Sequence, residues 1–314
     1  MKMYCEKHPN QALYRSVKLY CPICEGYFSG HSLPIMKQCP FKFKMLREYV
    51  KDKGRAFPLV KGKVSHFIAE QFNRSLKYIN NTKFETTVMK IFHSFVSFMD
   101  YMSLFIKKEI LKTVENEIFS FYLFKKDIVE SLYSEEKIHN IIPIVTEEWL
   151  SIPFNKKQYE AAIETNVKNW TKIGIHNILD EVFLDHDNRA ICIDYKSYPR
   201  KSSSTISEIR SVEKKYQLIT AMLTFEYNYD IDVKFVANVE LGSDEFPNVS
   251  YYKPTDRGIL YYKKALLQGY KNIFSNNYPP KYNEFTCLNF CEYKDICPHP
   301  EVKKFRKFLS KYYT

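Results

Sequence analysis

Apolar and polar side chains alternate along Ile173–Leu184, and the apolar run Ala190-Ile-Cys-Ile193 follows the polar stretch His186-Asp-Asn-Arg189. This pattern predicts two strands joined by a tight turn. A period of two returns over residues 231–241, and Asn248–Tyr252 is placed to pair with that strand. Residues 141–150 read as a further strand, kept to an edge by Pro143, which cannot donate to a ladder. Helical spacing governs residues 39–49, 61–72, 155–170, 212–225 and 255–274, with Pro40 just inside the first and Tyr278-Pro-Pro280 closing the last. Between about 84 and 134, Phe, Ile, Leu and Met recur at helical intervals, which predicts two or three helices whose apolar stripes are core. Strands alternating with helices point to an α/β class.

The candidate chemistry sits on the hairpin. Asp180 lies in its first strand, and Asp194-Tyr-Lys196 closes the second. In an antiparallel pair the two acids come together, with Lys196 on the face of Asp194 because strand side chains alternate. Two carboxylates and an amine on one sheet face suit metal-assisted phosphodiester hydrolysis. His66 and Glu70, four apart on a helix, share a face, although alone such a histidine reads as an ordinary packed residue.

Composition narrows the class. At 314 residues with 45% apolar content, the chain can bury the core of one large domain or two smaller ones. No apolar run reaches bilayer length, and Met1-Lys-Met-Tyr-Cys-Glu-Lys-His8 lacks a signal-peptide core, so an intracellular protein is expected. The net charge of +11 is uneven. Residues 1–75 carry fourteen Lys or Arg against five Asp or Glu, and residues 301–314 carry five against one, interleaved with aromatics. A polyphosphate partner such as DNA fits that distribution, as does a merely solvated surface.

Seven of the eight cysteines fall in the two terminal regions, which in a reducing compartment points to metal ligation. Cys5-Glu-Lys-His8 and Cys21-Pro-Ile-Cys24 resemble the paired knuckles of a zinc ribbon, defining a module over residues 1–36, with Cys39 as the alternative to His8 for Zn²⁺. Cys287, Cys291 and Cys297 need a fourth thiolate, and Cys39 is the candidate. Such a Cys₄ site serves iron–sulfur or zinc.

In this order the motifs resemble RecB-like nucleases of the PD-(D/E)XK superfamily, in particular the iron–sulfur branch with the CRISPR-associated Cas exonucleases and the AddB nuclease domain. Gly62-x-x-x-His66 is similar to the first-helix histidine motif, Asn177-Ile-Leu-Asp180 to the Gly-x-x-Asp strand motif, Asp194-Tyr-Lys196 to (D/E)-x-K, and Gln217 to the start of the following Gln helix motif. Asn177 and Ala221 depart from the Gly and Tyr of those patterns. The resemblance covers residues 37–298 and implies an α/β restriction-endonuclease-like core, a central mixed sheet flanked by helices, with a helical insertion over about 75–150. Residues 299–314 are left as a basic-aromatic tail.

The resemblance further implies Mg²⁺ or Mn²⁺ held by His66, Asp180, Asp194 and the Tyr195 carbonyl, with Lys196 and Gln217 as catalytic partners. It also implies a 4Fe-4S cluster on Cys39, Cys287, Cys291 and Cys297. The expected function is a DNA nuclease, exonuclease before endonuclease, acting on single strands or ends together with other DNA-processing proteins. A catalytically silent iron–sulfur or zinc DNA-binding module and an RNA-directed nuclease are the alternatives.

Overall fold

The computed structural model describes residues 27–48, 143–164, 170–185, 187–196, 212–241 and 248–312, short N-terminal strands, and residues 66, 69, 70, 73, 120, 121, 123–125, 167, 207 and 208. The expected helices over 84–134 lie outside the described residues except for helical positions within 120–125, as does the basic loop 197–205. The chain forms two compact units. One comprises Met1–Asp52, Ser151–His176 and Thr255–Thr314, and the other Lys53–Leu150 and Asn177–Pro254.

The second unit contains the hairpin. Strand β6 (Val145–Phe154) starts in it and β7 (Ile173–Leu184) ends in it, and β7 pairs antiparallel with β8 (Ala190–Lys196) from Leu184↔Ala190 to Glu181↔Ile193. The turn between them is built on Asp185, whose buried carboxylate accepts the N–H groups of Asp187 and Arg189, both at 2.9 Å, and is paired with Lys234 at 2.8 Å. Parallel to β8 runs β10 (Val233–Glu240), and the crossover that parallel strands require is helix α4 (Val212–Tyr229). Strand β11 (Asn248–Tyr252) is antiparallel to β10 and parallel to the short β9 (Ser207–Glu208), giving the order β7-β8-β10-β11-β9 with β6 also on β7. The sheet is therefore mixed, as expected. Its core face gathers Phe183, Ile191, Ile193, Tyr195, Ala237 and Val239 against Ala69, Phe121 and Phe124. Buried Thr220 and Thr224 do not break α4, because their hydroxyls donate to the Tyr216 and Thr220 carbonyls, each at 2.8 Å.

In the first unit, β5 (Phe28–Ser29) pairs parallel with the start of β7. Helices α1 (Ser32–Gln38), α2 (Pro40–Glu48), α3 (Lys156–Glu164) and α5 (Asp256–Phe274) belong to this unit. Its core is aromatic and centred on buried Tyr270, whose ring lies 5.0 Å from Phe28, 4.7 Å from Phe154 and 5.9 Å from Trp170. The Tyr270 hydroxyl donates to the Gly174 carbonyl. Gly174 has φ +66°, and a Cβ there would collide with that hydroxyl, so glycine is required on both counts. Residues 299–314, read as a tail, contain helix α6 (Pro300–Tyr312). Near the N-terminus β1 (Tyr4–Cys5) pairs with β2 (His8–Ala12), Cys5 opposite His8, and β3 (Tyr14–Arg15) with β4 (Leu19–Tyr20). Cys21 and Cys24 lie outside the described residues. Among the described residues no helix is long and apolar enough to cross a membrane.

Candidate active site

The β7–β8 ladder ends at Glu181↔Ile193, one pair before the two aspartates would face each other. The next free donor, the Tyr195 N–H, bonds at 2.7 Å to Asp180 Oδ2. A carboxylate thus takes the place of a ladder carbonyl where the two strands part. Beyond this point β8 stays paired with β10, which sets Asp194 beside Asn238 and Lys196 beside Glu240. Lys196 Nζ lies 2.8 Å from Asp194 Oδ1 and 2.7 Å from Oδ2.

Asp180 looks the other way, toward a histidine. His66 Nδ1 is 3.3 Å from Asp180 Oδ1 and 3.1 Å from Glu147 Oε1. Glu147, on β6, holds φ +49°, a left-handed backbone that a strand residue adopts only when its surroundings impose it. Burial alone would lower the His66 pKa, but hydrogen bonds to Asp180 and Glu147 together with their charges push it up to about 10. Burial also raises Glu147, more than the His66 hydrogen bond lowers it.

These residues fit a divalent cation. Among the described residues, His66, Glu147 and Asp180 are the His, Cys, Asp or Glu group of three whose ligand atoms lie within 4.8 Å of one another. Their separations of 3.1 and 3.3 Å approach the edge of about 3 Å expected for an octahedron with bonds of about 2.1 Å. Asn238, 1% exposed and next to Asp194 in the ladder, has an amide with no hydrogen-bond partner among the described residues. A buried amide left so costs free energy unless water or a ligand completes it.

The structure brings His66 and Asp180 together with Glu147, and holds Asp194 on Lys196 outside that trio. The Tyr195 side chain is turned into the core, and Gln217 is half-buried on α4. Glu147 and Asn238 were missed by the sequence reading. The available signal was the same for both, a polar residue inside an apolar strand, in Val145-Thr-Glu-Glu-Trp-Leu150 and in Phe235-Val-Ala-Asn-Val239.

In the first unit, Cys39 ends α1 and precedes Pro40 of α2, its carbonyl accepting from Phe43 N at 3.1 Å. Burial raises the Cys297 thiol, a backbone bond from His299 lowers it, and the neighbouring Cys39, Cys291 and Cys287 raise it further. Cys39, Cys287 and Cys291 thus each lie within electrostatic reach of Cys297.

A mixed sheet whose central strands part around Asp180 and Asp194-x-Lys196, beside a His-Glu-Asp trio spaced for a cation, suits a nuclease-type phosphodiesterase that works with a divalent metal. The family model of the PD-(D/E)XK nuclease superfamily matches residues 27–298, and the chain belongs to that superfamily. No curated protein matches the chain. Among solved structures it is similar to one titled "Crystal structure of SSO0001", with 15% identity, a TM-score of 0.30, and coverage of 82% of this chain and 92% of that one.

Proposed function

We propose that the protein is a RecB-like deoxyribonuclease that hydrolyses DNA from ends or single strands. The observation that carries this reading is the parting of β7 and β8, with Asp180 on one strand, Asp194 and Lys196 on the other, and His66 against Asp180. When bound, Mg²⁺ or Mn²⁺ would supply Lewis acidity toward a phosphate and a more acidic water. His66, Glu147 and Asp180 would hold it, with Asp194 and the Tyr195 carbonyl completing the set. Lys196 keeps Asp194 in place and presents an ammonium to the charge that develops on phosphoryl oxygens. Gln217 steadies Lys196 or the attacking water, and the Asn238 amide is available to the same water.

In this reading Cys39, Cys287, Cys291 and Cys297 hold a 4Fe-4S cluster. Cys39, Cys287 and Cys291 each lie near enough to Cys297 to act on its thiol, as ligands of one shared group would. Zn²⁺ is assigned to Cys5, His8, Cys21 and Cys24, in the basic N-terminal region that would grip DNA.

The deciding assay compares end-labelled single-stranded DNA, double-stranded DNA and RNA with Mn²⁺, wild type beside Asp194→Ala, with circular dichroism to verify folding. Cleavage of DNA from its ends by wild type only is expected. RNA cleaved in preference to DNA would move the reading to an RNA nuclease, and equal cleavage by a folded Asp194→Ala would end it. Protein purified without oxygen is expected to carry about four irons per chain at this site, lost in Cys291→Ser. Zinc in their place would refute the cluster.

A further inference from the structure

The sheet face opposite Asp194 holds a charge that the hydrolysis does not use. Glu181 is 0% exposed and Lys125 2% exposed, and Lys125 Nζ is ion-paired with Glu181 Oε1. Glu181 Oε2 accepts from Asn73 Nδ2 at 2.9 Å and from the Tyr195 hydroxyl. Aromatic rings close the pocket, with Lys125 Nζ 5.5 Å from the Phe121 ring centre and 5.8 Å from that of Phe183. Removing two charges from water costs several kcal/mol each, so a pair like this is often no more stabilising than an apolar pair of the same volume. Stability does not account for it.

Its position in the chain does. Glu181 follows Asp180 directly, Tyr195 is the residue between Asp194 and Lys196, and Asn73 lies seven residues beyond His66, on the same helical face. Tyr195 is held at both ends, its hydroxyl by Glu181 and its N–H by Asp180. Fixing its peptide fixes the directions in which Asp194 and Lys196 leave the strand.

We propose that Glu181 is a positioning residue: with Lys125 neutralising it, its carboxylate ties β7, β8 and the helical residues around His66 into the register that the cation trio and Asp194 need. The assignment rests on the nuclease reading. Acting from behind the sheet, Glu181 touches neither cation nor substrate.

The test uses the full chain and three variants. Lys125→Met/Glu181→Leu removes both charges and every hydrogen bond. Lys125→Met/Glu181→Gln removes the charges but keeps an acceptor for Tyr195 and Asn73. Tyr195→Phe removes one bond only. Thermal unfolding without metal, Mn²⁺ affinity by titration calorimetry, and cleavage are measured on each.

The Leu double variant is expected to unfold within a few degrees of wild type yet bind Mn²⁺ about ten- to a hundredfold more weakly, the scale of losses when groups behind a metal ligand are removed. The Gln double variant should recover most of that loss, and Tyr195→Phe should lose several-fold. If the Leu double variant fails to fold, the Gln variant and Tyr195→Phe decide by the same reading. Wild-type Mn²⁺ affinity in folded Leu double variant, or in Tyr195→Phe where that variant decides, overturns the role of Glu181 alone. A wild type that neither binds Mn²⁺ nor cleaves overturns the nuclease reading itself.

Discussion

Asp180→Asn is expected to lower metal-dependent cleavage roughly a thousandfold, the scale of losing a pre-organised charge at a reacting phosphate, while leaving the fold intact. The variant separates two jobs that one carboxylate performs. Asp180 Oδ2 accepts the Tyr195 N–H at 2.7 Å, and an asparagine carbonyl oxygen can do the same, so the parting of β7 and β8 survives. What disappears is a negative charge 3.3 Å from His66 Nδ1, in the trio proposed to hold the divalent cation. Single-turnover cleavage and the Mn²⁺ concentration for half-maximal rate should change together, with circular dichroism and the unfolding midpoint near wild type. Cleavage within tenfold of wild type would show that Asp180 is not a metal ligand. Glu147→Ala is the companion measurement, since Glu147 reaches the same nitrogen from β6.

Metal uptake is expected to expel a proton and to strengthen steeply with pH. In the metal-free protein His66 is an imidazolium, its pKa pushed up to about 10 because the two carboxylates outweigh burial. A cation that takes Nδ1 must displace that proton, so affinity should rise about tenfold per pH unit below that value, or about a hundredfold between pH 6.5 and 8.5. Calorimetry in buffers of different ionisation enthalpy should return close to one proton released per ion. The sign for folding is opposite. A pKa raised above the unfolded value of about 6.5 contributes stability that is complete below pH 6.5 and lost as pH rises through about 10. Metal-free protein should therefore lose stability over that range, and His66→Asn should lose less. Metal affinity that stays flat from pH 6.5 to 8.5 would show that His66 is neutral or is not a ligand.

The parts of this site that could be read from sequence share a property: their placement is local. Asp194 and Lys196 are two apart on one strand, Asp180 is reached by a short turn, and a period of two fixes which way each points. The proposed cysteine grouping came by another route, since three thiols at residues 287–297 leave a four-ligand site one short and Cys39 stands at the start of a helix. Glu147 was not legible, because it reaches His66 through a left-handed backbone angle inside a strand, and no periodicity encodes such a kink. Nor was the Glu181 pair. Lys125 lies 56 residues before its partner, in a stretch whose apolar stripe reads as plain core. Even the facing of Asp180 and Asp194 was only half right, since the ladder ends one pair early and gives one of them to a backbone amide.

The two units also reach completion at different times during synthesis. His66, Glu147, Asp180 and the Asp194–Lys196 pair all precede residue 255, in the unit made of Lys53–Leu150 and Asn177–Pro254. The other unit waits for Thr255–Thr314, which brings Tyr270 and the last three cysteines. At a ribosomal pace of about 5–20 residues per second, those sixty residues take roughly 3–12 s. The proposed cation ligands are therefore translated before the aromatic core of the first unit has its central side chain, and any cofactor on Cys39 and Cys287–Cys297 can join only afterwards.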